Sequence, residues 1–329
     1  MVYELAKNDR RIFFIGSDLG VGALQQFKEE MPDRFFMEGV SEANIIGMAA
    51  GLALEGKIVY INTIATFITR RCFEQVALDL CLHNVKVRLI GSGGGLVYAP
   101  LGPTHLAIED IAILRALPGM SVIAPADAAE MRRLMPVTVD HPGPIYIRLA
   151  KGGDPIVTDS SIPFEIGKSF VMREGSDALI VTTGILLKHA LDAAEVLRSN
   201  GVEAAVLHVP TLKPLDTDAI VRMAAQVPVI VTAEEHSTIG GLGSAVAEVV
   251  LEANFPTPKR FKRIGIPDAF PDQYGSQDSL MARYDITAEA ISTTVEELAR
   301  NPWKGNITTL VQPPAAREKQ HGQNSLPEN

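Results

Sequence analysis

The residues best suited to chemistry lie in four stretches of the first half of the chain. EGVSEANIIGMAAGLALEG, residues 38–56, carries Glu42 directly after Ser41, a residue that can cap a helix and leave the glutamate in its first turn. TIATFITRRCFEQVALDL places Phe67 near a strand-to-helix turn and follows it with Arg71, Glu74, Gln75 and Val76 in an RxxEQV pattern. GSGGGLVYAPLGPTH is a glycine-rich loop ending on His105, and PIYIRLAKGG carries Arg148 inside an apolar run. Of these, His105 at the end of its loop offers an imidazole for acid–base work or for donation to an anion. Each also has a plain structural use. A first-turn glutamate answers the helix dipole, a phenylalanine fills core, a lone loop histidine is merely polar, and an arginine on the other face of its strand forms an ion pair.

The elements that must position these residues alternate along the chain. RIFFIG, RFFM, KIVYINT, VKVRLIG, MSVIAP and PIYIRL are short, apolar and β-branched and read as strands; helices are expected over 41–55, 66–83, 109–117 and 127–135. That alternation predicts crossover units on a parallel sheet, with the glycine-rich loop at the carboxyl end of a strand, where ligands gather. AKGGDPIVTDSSIPFEIG has no sustained period and reads as a linker, after which DALIVTTG, VEAAVLHVP and VPVIVTAEEH begin a second α/β series with helices in LKHALDAAEVLRSN and SAVAEVVLEAN. The expected organisation is α/β, two three-layer domains over 1–155 and 171–304, a linker over 156–170 and a mobile polar tail over 305–329.

Bulk properties narrow the classes. With 329 residues, 47% hydrophobic and 21% charged, the chain can build two cores. A net charge of −9 argues against a nucleic-acid partner, and no stretch approaches the roughly 18 apolar residues of a membrane span. The N-terminus MVYELAKNDRR lacks the apolar core of a signal peptide, so a cytoplasmic protein is expected. Cys72 and Cys81 fall in what reads as one helix, two and a half turns apart, and are expected as reduced core residues.

The order and spacing of MEGVSEANIIGMAAGLA, FITRRCFEQV, LGPTHLAIEDIAILRALPGMSVIAPAD and PIYIRLAKGG resemble the pyrimidine-binding domain of transketolases. EEHSTIGGLGSAVAEVV and RIGIPDAFPDQYGSQDSL resemble the C-terminal domain shared by transketolase, 1-deoxyxylulose-5-phosphate synthase and the beta subunits of 2-oxo acid dehydrogenases. The resemblance implies thiamine diphosphate and magnesium as cofactors, and Glu42 as the catalytic glutamate that shares a proton with a nitrogen of the aminopyrimidine ring. It implies Phe67 as the aromatic stacked on that ring, with Ile64 and Arg70 where other family members carry further aromatics. Asp18 and Leu19 match an aspartate and an apolar wedge beside the cofactor. His105 matches a catalytic and substrate-site histidine that binds sugar hydroxyls and the developing oxyanion, and Arg148 matches an arginine that grips a sugar phosphate.

Two substrate positions depart from the family pattern. Leu101 stands where an aspartate contacts a donor hydroxyl, and Gly93 where a histidine contacts phosphate, so an atypical sugar donor is expected. No GDG followed by an asparagine about thirty residues later is found, the pattern by which this superfamily holds metal and diphosphate, so no metal ligand is expected here. The implied enzyme is split: an N-terminal alpha subunit holds diphosphate and magnesium, this chain supplies the pyrimidine side and self-associates, and an α2β2 heterotetramer transfers a two-carbon ketol unit between sugars. Rival readings are a 2-oxo acid dehydrogenase beta subunit, a deoxyxylulose-phosphate-synthase-like enzyme, and a regulatory subunit without catalysis.

Overall fold

The computed structural model describes residues 1–16 and 22–300. Asp18, Leu19 and the expected tail lie outside the described residues.

Alternation of apolar residues along each strand builds the molecule. The strands are β1 Ile12–Gly16, β2 Phe35–Met37, β3 Ile58–Ile64, β4 Val87–Ser92, β5 Ser121–Ile123, β6 Ile145–Leu149, β7 Phe170–Arg173, β8 Ala178–Thr182, β9 Ala204–His208, β10 Thr211–Lys213, β11 Val229–Ser237 and β12 Arg260–Ile266. In the first sheet Phe14, Ile58, Tyr60, Ile145 and Ile147 point to one side, into a core with Ala6, Phe27 and Leu134. Ile15, Val59, Ile61 and Tyr146 point to the other, against Ile45, Ile46, Val76 and Leu80 of the covering helices. Successive strand residues face opposite ways, so both faces are buried and a three-layer arrangement follows.

This sheet has the order β10-β5-β6-β4-β3-β1-β2, and the second has β12-β11-β8-β9-β7. All pairings are parallel except β10 with β5 and β7 with β9, which are antiparallel edges. Leu179, Val181, Ala205 and Leu207 of the second sheet enter the same core as Val59 and Ile61 of the first. Their alternates Ala178, Ile180, Ala204 and Val206 face a separate core with Ala190, Leu197 and Ile291.

Several local expectations change. The helix expected over 66–83 is broken: Ala65–Thr69 is followed by a turn at Arg70–Cys72, then Phe73–Gln75 and a wide π-type helix over Val76–Leu82. Cys72 therefore precedes the second helical piece rather than sharing one helix with Cys81; both thiols are free and buried, and burial pushes them up to about 12 and about 11. Ser41 does not cap the Glu42–Leu54 helix with its side chain; its hydroxyl donates to the Glu38 carbonyl at 3.0 Å. By contrast, Asp127 accepts the Glu130 N–H and caps the Ala128–Thr138 helix, whose far carbonyls are met by fully buried Arg88, donating to Thr138 O at 2.8 Å and His141 O at 2.6 Å. Among the described residues no helix is long and apolar enough to cross a membrane.

Candidate active site

Glu42 opens its helix with its side chain turned inward, leaving the residue only 2% exposed. A carboxylate taken so far out of water needs a partner, and Arg71 supplies one, Nη1 to Oε2 at 2.7 Å. The guanidinium carbon of Arg71 lies 4.4 Å from the centre of the Phe67 ring, on its face. Phe67 sits in the short helix that follows β3, and the His105 ring meets it edge-on at 5.2 Å. Thr104 Oγ1 lies 2.9 Å from His105 Nδ1, which leaves Nε2 as the nitrogen for a substrate oxygen. Phe67, Arg71, Thr104 and His105 line an open cleft of about 790 Å³, with Phe270 of the second half among its walls; Glu42 lies behind Arg71 and is not in the lining.

The turn at residues 70–72 sends the two adjacent arginines in different directions. Arg70, placed beside the cofactor ring by resemblance, lines the same cleft and pairs through Nε with Glu109 Oε1 at 2.9 Å, while Arg71 is the one that stacks on Phe67. Ile64, half-buried, ends β3 immediately before the Phe67 helix. Leu101 lies on a 3-10 turn, 49% exposed, and is absent from the lining of the cleft.

The phosphate grip assigned to Arg148 is corrected by its surroundings. The residue is 7% exposed, and its guanidinium donates to Asp110 Oδ2 at 2.9 Å, Glu235 O at 2.8 Å and Ala107 O at 3.3 Å. Tyr146 OH donates to the same Asp110 oxygen at 2.6 Å. With Nε and Nη2 taken up by these buried acceptors, Arg148 is tied into a buried ion pair with Asp110.

The glycine-rich loop is glycine-rich because three side chains crowd it. A Cβ on Gly93, whose φ is +76, would fall inside the Tyr98 ring, and one on Gly94 would meet the Arg148 side chain. At Gly95 the obstacle is Glu235. Tyr98 thus fills the space into which any side chain at position 93 would project. A second cleft of about 410 Å³ opens here, walled by Asn62 of β3, Ser92 and Gly93 at the end of β4, Asp127 after β5, and Leu149 to Asp154 after β6. It lies at the carboxyl ends of four parallel strands, and Lys151 is its basic lining residue among those described.

The EEH run at the end of β11 is the feature whose role sequence reading missed. Glu234 accepts the Leu242 and Gly243 N–H groups at 2.7 and 2.8 Å, capping the Leu242–Glu252 helix from outside it. Glu235 accepts Leu96 N–H at 2.7 Å and the Gln277 amide at 2.8 Å, tying the glycine-rich loop to the second half; burial pushes its carboxyl up to about 7. His236 Nε2 accepts from Ala112 N–H at 3.3 Å.

Two mostly parallel sheets, each covered on both faces, make an α/β chain with a buried carboxylate and an aromatic face close to one strand end. The transketolase pyrimidine-binding domain model matches residues 1–153 and the transketolase C-terminal domain model residues 167–291; the chain belongs to the transketolase family. Over 299 residues it is 40% identical to the 6-deoxy-6-sulfo-D-fructose transketolase subunit SqwH of Clostridium sp. (strain MSTE9), covering 91% of this chain and 92% of that one. It is 37% identical over 299 residues to one subunit of the apulose-4-phosphate transketolase of Phocaeicola vulgatus, covering 90% and 94%. A solved split-gene transketolase, described as an inactive beta4 tetramer, superposes with a TM-score of 0.82 at 37% identity, covering 90% of this chain and 94% of that one.

Proposed function

We propose that this chain is the pyrimidine-side beta subunit of a two-component transketolase, moving a two-carbon ketol unit from an anionic ketose to an aldose. The observation that carries the reading is the pairing of buried Glu42 with the Phe67 face, bridged by a planar, N–H-donating guanidinium. A space that takes a guanidinium in this way has the shape and polarity for an aminopyrimidine ring, so thiamine diphosphate fits the residues present. When bound, it supplies the nucleophilic carbon and the electron sink for breaking and making a carbon–carbon bond.

The chain's own part is positioning and proton control. Glu42 holds a proton at a ring nitrogen, Phe67 fixes the ring plane, and His105 presents Nε2 to the oxygen on which charge develops. Asp18, Leu19 and Ile64 remain assigned to the cofactor's surroundings by resemblance. Diphosphate and magnesium fall to a separate N-terminal alpha subunit in an α2β2 assembly; this is supported by the near-complete coverage of relatives that are themselves named as subunits. The second cleft suits the donor's anionic end, with Lys151 as its cation. The relatives' names specify a sulfonated and a phosphorylated sugar, which agrees with an anionic donor outside the usual pentose phosphates.

Glu42→Gln tests the catalytic assignment. Mixed with the alpha subunit, the variant should assemble normally and lose about 10²- to 10⁴-fold in ketol transfer, the range for a lost acid–base group. Full turnover by the variant would remove Glu42 from the mechanism, and release of carbon dioxide from a 2-oxo acid by the wild-type pair would favour the dehydrogenase reading.

A further inference from the structure

We propose that Arg71 is a built-in competitor for the cofactor's pyrimidine ring, holding the ring's place on Phe67 and at Glu42; this rests on the half-site reading above. The guanidinium carbon stands 4.4 Å from the Phe67 centroid, the separation of one stacked layer, so a second flat group cannot share that face. Its Nη1 simultaneously donates to Glu42 Oε2 at 2.7 Å. One planar group thus makes both contacts through which the ring would be held.

Three features make the contact reversible rather than structural. The Arg71 side chain is 48% exposed, so it swings into solvent without crossing a packed core, and the ion pair it leaves is screened from one side. It is anchored at the turn between two short helices, where the backbone does not fix its direction. Its neighbour Arg70 is held by Glu109 and does not take its place. Glu42, by contrast, is nearly fully buried and keeps a counter-charge through Arg71 until the ring supplies a proton partner instead. The pyrimidine side of this subunit therefore resists loading by itself, and firm cofactor binding waits for the contacts of a partner chain.

The probe is 4-amino-2-methylpyrimidine, which has the ring and neither thiazolium nor diphosphate, titrated into the full chain and followed by ligand-observed NMR. Arg71→Ala and Arg71→Met should each bind it roughly tenfold more tightly than the wild type, the loss of one cation–π contact and one half-exposed ion pair. Equal or weaker binding by both variants, or no binding by either, overturns the competitor role. Adding Phe67→Ala separates the two ideas. If it abolishes ring binding while Arg71 substitutions change nothing, the half-site stands and the competitor falls; if ring binding survives it, the half-site reading falls as well.

Discussion

Arg148 and Lys151 sit three residues apart and face different chemistry. Arg148 is locked among Asp110, Glu235 O and Ala107 O, whereas Lys151 lines the cleft at the strand ends. Arg148→Ala leaves Asp110 buried without its cation and should destabilise the fold by about 3–5 kcal/mol, read as a lower denaturant midpoint. Lys151→Ala should leave that midpoint unchanged and raise KM for anionic donors about tenfold with little change in kcat. A selective KM effect from Arg148→Ala in a stable protein would return the phosphate role to that residue. In the sequence, YIRL gives no sign of which face its arginine takes, because that depends on Asp110 arriving from a helix more than thirty residues earlier. Glu42, Phe67 and His105 are easier to single out: each sits near the start of a helix or the end of a loop, and the structure places Phe67 and His105 on one cleft with Glu42 joined to it through Arg71. Arg71 stands in the RxxEQV pattern, but its stacking on Phe67 depends on a helix break that periodicity does not reveal.

At the scale of elements, the central strands and the edge strand β2 were legible, and the other edges were not. β1 and β8 are continuous apolar runs because both their faces are covered, whereas β7, β10 and β12 are short or carry exposed charges and give no such pattern. The end of β11 looks like a catalytic cluster by composition, yet its EEH residues cap a helix and fasten loops. Glu235 has its carboxyl raised from the ordinary 4.5 to about 7, chiefly by burial against the opposing pull of Arg148, and the stability conferred by its proton is complete below about 4.5 and lost as pH rises through about 7. Glu235→Gln keeps an acceptor for Leu96 N–H but removes the titration. Melting temperature should therefore fall less steeply between pH 5 and roughly 7.5 in the variant than in the wild type; parallel curves would show that Glu235 does not titrate in this window.

The whole molecule is less divisible than its sequence suggests. Among the described residues no helix or strand lies between the end of β6 at Leu149 and the start of β7 at Phe170, but β10 returns from the second α/β series to complete the first sheet beside β5, pairing Thr211 with Ile123. One core holds residues of both sheets, and the Glu235 tie to Leu96 joins the second half to the glycine-rich loop. Those contacts link residues far apart in sequence, which is why local pattern could find two series and not their union. Under the proposed function this transketolase-family chain supplies the proton-handling glutamate, the stacking face and the anion cleft of a half-site, and another chain supplies the diphosphate grip. The most direct measurement is calorimetric titration of thiamine diphosphate with magnesium into this chain alone and into its mixture with the N-terminal subunit. Tight binding confined to the mixture, accompanied by ketol transfer, is the expected result; tight binding and turnover by this chain alone would contradict the split site.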